Sequence, residues 1–249
     1  MNLRKMKIFI TGVSSGLGKE LAYKFCKNGH EVWGLARKAF HAYGNTLIAD
    51  TNFRYIKCDV ADRQITKAVF AEMRGMNFQP DVVILNAGVM ESDLEDGFDY
   101  ETFLKCFNVN LFGSMNLVDL WLPFFLERGF GKFVAISSLS SYRGSIGLKA
   151  IGYSSSKVAI NMAFEGFRIR YFNSGVSFIT INPGSMISGQ ERRGIFPITY
   201  KKAAEKIYKV VVSKKKSEVV NFPKTTGFLL KCSRLFRDSF LGLIISRKK

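Results

Sequence analysis

Two residues four apart, Tyr153 and Lys157 in the run Tyr153-Ser-Ser-Ser-Lys157, carry the most specific chemistry in this chain. On a helix that spacing puts both side chains on one face, a turn apart. A phenol with its ordinary pKa of about 10 is a poor acid or base at neutral pH. Bringing it to about 7 takes about 4 kcal/mol of preference for the phenolate, roughly what a cation ~4 Å away supplies at an effective dielectric of about 20. Lys157 could therefore tune Tyr153 to protonate a carbonyl oxygen or to take a proton from an alcohol. Just upstream lie four hydroxyls, Ser137, Ser138, Ser140 and Ser141.

A second pattern is Thr11-Gly12-Val13-Ser14-Ser15-Gly16-Leu17-Gly18, between a short apolar run and an amphipathic one. Glycines there let the backbone turn sharply and approach a pyrophosphate, while a following helix N-terminus offers donors and positive potential. The glycine spacing departs from the general G-x-G-x-x-G fingerprint, so the turn alone also suits a purely structural strand-to-helix connection. The third pattern is Gly34-Leu-Ala-Arg37-Lys38, with no acidic residue until Asp50. An acid at that point would hold a ribose 2′-hydroxyl, whereas Arg37 and Lys38 favour a 2′-phosphate, hence NADP(H) over NAD(H).

These residues need elements to position them. Lys7 to Ile10 reads as a buried strand, and Leu17, Leu21 and Phe25 recur as one helical face closed by Gly29. Strands are predicted at Glu31–Leu35, Phe53–Cys58, Asp81–Leu85, Lys132–Ile136, Val176–Ile181 and Glu218–Phe222. Between them, helices are predicted around Ile65, Val69 and Met73, over Tyr100 to Leu122 ending near Pro123, over Tyr153 to Asn173, and over Thr199 to Val212. Strands alternating with helices in this rhythm predict an α/β fold with a doubly wound parallel sheet, three layers of Rossmann type, in one domain. Residues 1–223 make up that domain, with 224–249 as a basic amphipathic tail.

The motifs together resemble those of the short-chain dehydrogenase/reductase family. They are the glycine turn, Asn86-Ala87-Gly88 after the fourth strand, Asn110 in the long helix, Ser138 after the fifth, Tyr153 with Lys157, and Pro183-Gly184 after the sixth. The resemblance covers about residues 6 to 190, each motif in order at the end of its element. It implies hydride transfer between NADP(H) and a carbonyl compound or secondary alcohol, with Tyr153 as acid/base and Lys157 lowering its pKa and binding the nicotinamide ribose. Ser138 would hold the carbonyl oxygen and Asn110 a water of a proton relay. The cofactor would contact Gly12, Ser14, Ser15, Gly16, Leu17, Gly18 and Arg37, with Asp59 and Val60 at the adenine. Asn86, Ala87 and Gly88 would pack beneath it, and Pro183, Gly184 and Ser188 line the nicotinamide side. Leu85 stands where many relatives have another Asn. The family's usual spacing of thirteen residues before the tyrosine points to Ser140, whereas counting from the end of the fifth strand points to Ser138, which is favoured. The resemblance also implies a homo-oligomer; the alternative function is a catalytically weak binding or regulatory member.

Composition narrows the rest. Among 249 residues, 47% are apolar, with 23 Phe, which excludes disorder as the main state. Four cysteines without paired spacing predict neither a zinc site nor a disulfide framework, and a cytoplasmic location is expected. Only His30 and His41 could serve a serine–histidine hydrolase, and a histidine-rich metal site is excluded. The apolar stretch Leu111 to Leu126 is interrupted by Asn116, Asp119 and Pro123, short of a clean membrane span. Of a net charge of +17, most sits late: residues 189–249 hold 16 basic and 4 acidic groups. No nucleic-acid-binding motif accompanies them, so nucleic acid is not the expected partner. In the tail, Leu229, Cys232, Phe236, Phe240 and Leu243 would share one helical stripe flanked by Lys231, Arg234 and Arg237. That stripe either packs on the protein's own sheet or a partner subunit, or lies peripherally in a membrane interface.

Overall fold

A computed structural model describes residues 4–38, 52–94, 97–144, 150–187, 197–213, 215 and 217–239. Seven strands, all parallel, form one sheet in the order β3-β2-β1-β4-β5-β6-β9. They are β1 (Lys7–Thr11), β2 (Glu31–Ala36), β3 (Phe53–Lys57), β4 (Val82–Leu85), β5 (Gly131–Ile136), β6 (Val176–Pro183) and β9 (Val219–Phe222). A second, two-stranded pairing joins β7 (Met186–Ile187) to β8 (Ile198–Thr199). The chain reverses its direction across the sheet between β1 and β4, and the C-terminal ends flanking that reversal are where such sheets hold ligands.

Both faces are covered, which is why the strands carry little polar alternation. On one face Ile8, Ile10, Ile84, Ile136 and Ile181 pack against Leu21 and Phe25 of α1 (Gly16–Lys27) and Ile207 and Val211 of α6 (Tyr200–Val212). On the other, Phe9, Val83, Phe133 and Phe178 meet Met73 of α2 (Arg63–Gly75) and a pair of long helical layers. The first layer runs through α3 (Tyr100–Phe107), a π-helical turn at Asn108–Phe112 and α4 (Gly113–Arg128), the second is α5 (Ile151–Arg170). After β9 comes α7 (Lys224–Ser233).

Two expectations are corrected. The long helix does not end near Pro123: α4 continues to Arg128 with Pro123 inside it. Pro123 is exposed, so the Asp119 carbonyl it leaves unbonded faces water, while buried Trp121, Leu122 and Phe125 hold both flanks to the core. The run Tyr100–Arg128 is long and apolar enough to cross a membrane by composition, yet more than half of its apolar window is packed inside the protein. Nor does one helix carry the C-terminal stripe, because α7 stops at Ser233 and the chain turns through Arg234, Leu235 and Phe236. Phe240 and Leu243 lie outside the described residues.

Candidate active site

The glycine turn fits a phosphate for reasons visible atom by atom. Gly12 has φ +73°, and a Cβ there would stand 2.9 Å from the Ala87 Cα. A Cβ on Gly18 would meet the Gly12 carbonyl oxygen at 2.1 Å, so only glycine lets α1 start this close to the turn. Gly16 has φ +53°, and the Tyr200 ring lies 3.4 Å from where its Cβ would be. Ser15 is the N-cap of α1 in extended conformation and makes no side-chain cap bond, leaving the first amides of α1 uncapped from within. Uncapped amides at a helix start, beside a turn built of glycines, suit a pyrophosphate.

Thr11 and Asn86 clamp this turn to the end of β4. The Thr11 hydroxyl accepts from the amides of Asn86 (3.0 Å) and Ala87 (2.9 Å), and the Asn86 side-chain amide donates to the Thr11 and Gly12 carbonyls. Just beyond, Gly88 lies where a Cβ would be 3.2 Å from Asn110 Oδ1 and 3.5 Å from Lys157 Nζ. The end of β4, the π-helical turn and α5 thus converge on one glycine.

The π-helical turn presents Asn110 to this point. Its Oδ1 accepts from the Val89 amide at 2.8 Å, and its Nδ2 donates to the Val89 carbonyl at 3.0 Å and the Ser156 hydroxyl at 2.9 Å. A side chain that takes both main-chain groups of Val89 holds the loop after β4 against α5, and the extra residue of the π turn aims it there. Asp59 accepts from the Ala61 amide, and Asn116 Nδ2 holds the Val60 carbonyl at 3.2 Å.

Across from Asn110, the end of β5 delivers Ser138. Its hydroxyl accepts from the Ser140 amide at 3.1 Å and from the Ser140 hydroxyl at 2.9 Å. Two donors fill both lone pairs of the Ser138 oxygen, so its own proton must point outward. Ser138 hydrogen-bonds with the Tyr153 phenol and draws its pKa down. The neighbouring serines do other work: Ser137 donates to the Lys157 carbonyl and Ser141 to the Ser138 carbonyl. Loop geometry therefore aims Ser138 at the phenol, with Ser140 behind it.

Lys157 is 4% exposed, and its ammonium donates to the Ile136 carbonyl at 2.8 Å, 5.6 Å from the centre of the Tyr153 ring. Burial pulls its pKa down from 10.5 to about 8, with Cys106 opposing. Tyr153 does not show the expected drop. Burial holds its phenol above the ordinary value, and the Ser138 bond draws it only part of the way back. The reason is geometric: the lysine charge is directed at a β5 carbonyl rather than at the phenol oxygen, and loss of water outweighs what remains.

A family model for short chain dehydrogenases matches residues 6–193. The chain belongs to the short-chain dehydrogenase family. Among curated relatives of this oxidoreductase family, it is 30% identical over 187 residues to a probable short-chain type dehydrogenase/reductase of Helicobacter pylori, spanning 74% of this chain and 66% of that one. It is 30% identical over 197 residues to a 3-ketodihydrosphingosine reductase of Bacteroides thetaiotaomicron, spanning 77% of this chain and 68% of that one. A short-chain dehydrogenase from Streptomyces avermitilis superposes with a TM-score of 0.80 at 21% identity, covering 98% of this chain and 97% of that one. Other solved neighbours hold NAD+ in one case and NADP in another.

Most of the family positions expected from the motifs gather at the C-terminal strand ends. Ser138 interacts with Tyr153, and Lys157 Nζ and Asn110 Oδ1 both face Gly88; Gly12, Gly16, Gly18, Asn86, Ala87 and Gly88 lie at the glycine turn and the end of β4. Arg37 is exposed directly after β2, as is Lys38. Pro183 ends β6, and the Gly184 amide donates to the Phe222 carbonyl at 2.8 Å. Ser188 lies outside the described residues, as does His41. His30 precedes β2, at the opposite end of the strands, where burial lowers its pKa and its Nδ1 accepts from the Met6 amide. A role beside Ser138 is thereby excluded for it.

Several supports of the site carry no local sequence signal. Asp93 accepts from the Ile151 amide at 2.9 Å, capping α5 from another loop, because Ala150 at the helix start has no side chain to do so. Asn161, Asn182, Asn221 and Tyr142 form a half-buried hydrogen-bond network around Asn182, behind Ser141. Nothing in local spacing marks these residues; only a buried Asn182 flanked by apolar strand residues hints that an amide there needs partners.

Proposed function

We propose that this short-chain dehydrogenase transfers a hydride between NADP(H) and a carbonyl compound or secondary alcohol. The observation that carries the proposal is the hydrogen bond between Ser138 and Tyr153, one helical turn from the buried Lys157. The glycine turn and uncapped start of α1 would hold the pyrophosphate, Asp59 and Val60 the adenine, and Lys157 with the Gly88 backbone the nicotinamide ribose. Pro183, Gly184 and Ser188 would line the nicotinamide. When bound, the nicotinamide supplies or accepts the hydride.

In the reductive direction Tyr153, protonated because burial keeps its pKa high, donates its proton to the substrate oxygen. Ser138 donates to the same oxygen as negative charge develops there, which favours the transition state over the ground state. Lys157, with a pKa of about 8, offers an ammonium against the phenolate that remains. Asn110 keeps one lone pair on Oδ1 and one on its main-chain carbonyl for a water that returns a proton. Arg37 and Lys38 would meet a 2′-phosphate, which supports NADP(H) over NAD(H). A homo-oligomer is part of the same reading.

The test is reduced-nicotinamide oxidation against a panel of ketones and aldehydes, with cofactor binding followed by fluorescence. Cofactor binding with turnover supports the proposal. Tight binding with no turnover on any carbonyl would favour a regulatory member instead.

A further inference from the structure

We propose that Tyr142 and Asn221 are positioning residues that align the Ser138 hydroxyl with Tyr153 from the C-terminal part of the chain. The inference rests on the reading of Ser138 as the donor to the substrate oxygen. Ser138 opens a single 3₁₀ turn, Leu139–Ser141, and its oxygen takes hydrogen bonds from the amide and hydroxyl of Ser140 in the middle of that turn. A tilt of the turn therefore carries the Ser138 hydroxyl with it. A turn of three residues closes too few main-chain bonds to hold its own shape.

Its shape is imposed from outside, residue by residue. Leu139 lies where a Cβ on Gly227 would stand 3.2 Å away and one on Gly184 3.5 Å away. The Ser141 hydroxyl donates to the Ser138 carbonyl at 2.6 Å and accepts from Asn161 Nδ2 at 2.7 Å. Asn161 Nδ2 also donates to Asn182 Oδ1 at 3.3 Å. Asn182, itself buried, donates to the Tyr142 hydroxyl at 3.1 Å and to Asn221 Oδ1 at 3.0 Å. The Tyr142 hydroxyl gives its proton to the same Asn221 oxygen at 2.9 Å. Arg234 Nε donates to the Tyr142 carbonyl at 2.6 Å, the Lys231 ammonium sits 4.8 Å from the centre of the Tyr142 ring, and Arg143 pairs with Asp238.

These bonds run in one consistent sense. The Asn161 and Asn182 amides each donate twice, while the Ser141 and Tyr142 hydroxyls each accept once and donate once. A fully matched network of this kind has one low-energy arrangement, so it fixes the turn rather than merely touching it. Asn221 belongs to β9 and Arg234 follows α7, both beyond residue 193, where the match to the family model ends. The serine is thus held from one side by β5 and from the other by the C-terminal segment. A network that served only to fasten β9 to β6 would lower stability when broken and leave the contact between Ser138 and Tyr153 as it was. Its attachment to Ser141 and Tyr142, at the far end of the turn that carries Ser140, ties it to that contact.

The experiment is a double-mutant cycle on the full chain. Tyr142→Phe keeps the ring beneath Lys231 and removes the hydroxyl, Asn221→Ala removes its acceptor, and each is made alone and together with Ser138→Ala. Lys157 near the Tyr153 ring and Cys106, which pushes that phenol's pKa up, stay in place in every variant. One readout is the NMR signal of Tyr153 in protein carrying carbon-13 at tyrosine Cζ, which reports hydrogen bonding of the phenol and is assigned with Tyr153→Phe. It should move from the wild-type position toward that of Ser138→Ala in both single variants. The second readout is kcat, which should fall roughly two- to tenfold, the loss of one neutral hydrogen bond's worth of alignment, with cofactor affinity unchanged. In the Ser138→Ala background neither quantity should change further, because the group through which the two residues act is gone. A Tyr153 signal at the wild-type position in both single variants would overturn the proposal, as would a fall in kcat of equal size with and without the Ser138 hydroxyl. The NMR readout needs no turnover: a wild type inactive on every carbonyl would sink the hydride-transfer reading alone, and the Tyr153 signal would still decide whether Tyr142 and Asn221 set Ser138.

Discussion

Removing the Ser138 hydroxyl tests the site at its hinge. In the structure that oxygen receives two hydrogen bonds from Ser140, and Ser138 hydrogen-bonds with the Tyr153 phenol. Ser138→Ala deletes a donor aimed at the developing oxyanion, a loss of about 10²–10³-fold in kcat, or about 2.7–4 kcal/mol. It also removes the bond that draws the Tyr153 pKa down, while the burial that raises it stays. In alcohol oxidation the phenolate is the active form, so the rising limb of rate against pH should move to higher pH in this variant. Ser140→Ala leaves the donor in place but frees Ser138 to rotate; losing one neutral hydrogen bond of about 0.5–1.5 kcal/mol costs roughly two- to tenfold. The assay is kcat at saturating cofactor in both directions, with full pH profiles. If Ser140→Ala were the more damaging change, the spacing of thirteen residues would identify the catalytic serine and the strand-end argument would be wrong. A Ser138→Ala enzyme above one tenth of wild-type kcat would refute the donor role itself.

Tyr153→Phe should abolish turnover while leaving cofactor affinity within a few-fold, measured by fluorescence titration. Lys157→Met should lose activity and also a pH dependence of stability. With a pKa of about 8 folded against 10.5 unfolded, the wild-type lysine binds protons better unfolded, so stability rises between those two pH values. The rise amounts to about 3 kcal/mol, and it should vanish in urea titrations of the variant. Equal pH slopes for the two proteins would show that Lys157 is not desolvated as described. Arg37→Ala should weaken NADP(H) by roughly 10- to 150-fold, one charge-assisted bond of about 1.5–3 kcal/mol, and leave NAD(H) nearly unchanged; parallel loss of both would place Arg37 away from the 2′-phosphate. Asp93→Ala should cost about 0.5–2 kcal/mol, the value of a helix cap, visible as a lower urea midpoint; an unchanged midpoint would mean that the Ile151 amide finds water instead.

Periodic apolar spacing was enough to place the strands and most helices, because buried elements must repeat hydrophobic positions at the period of their own geometry. The glycine turn and the Tyr153–Lys157 pair were legible for a similar reason: steric clearance and a one-turn spacing are local properties. Tertiary structure decided what depends on distant neighbours. Pro123 stays helical because Trp121 and Phe125 are buried on either side of it, which no window around the proline reveals. The long C-terminal stripe breaks at Arg234 as the chain turns onto the Tyr142 loop. The aim of Ser138 depends on Ser140 folding back behind it, and the Tyr153 pKa on how much water the packed helices remove. Desolvation and hydrogen-bond direction are set by groups far apart in sequence, so only the folded chain assembles them.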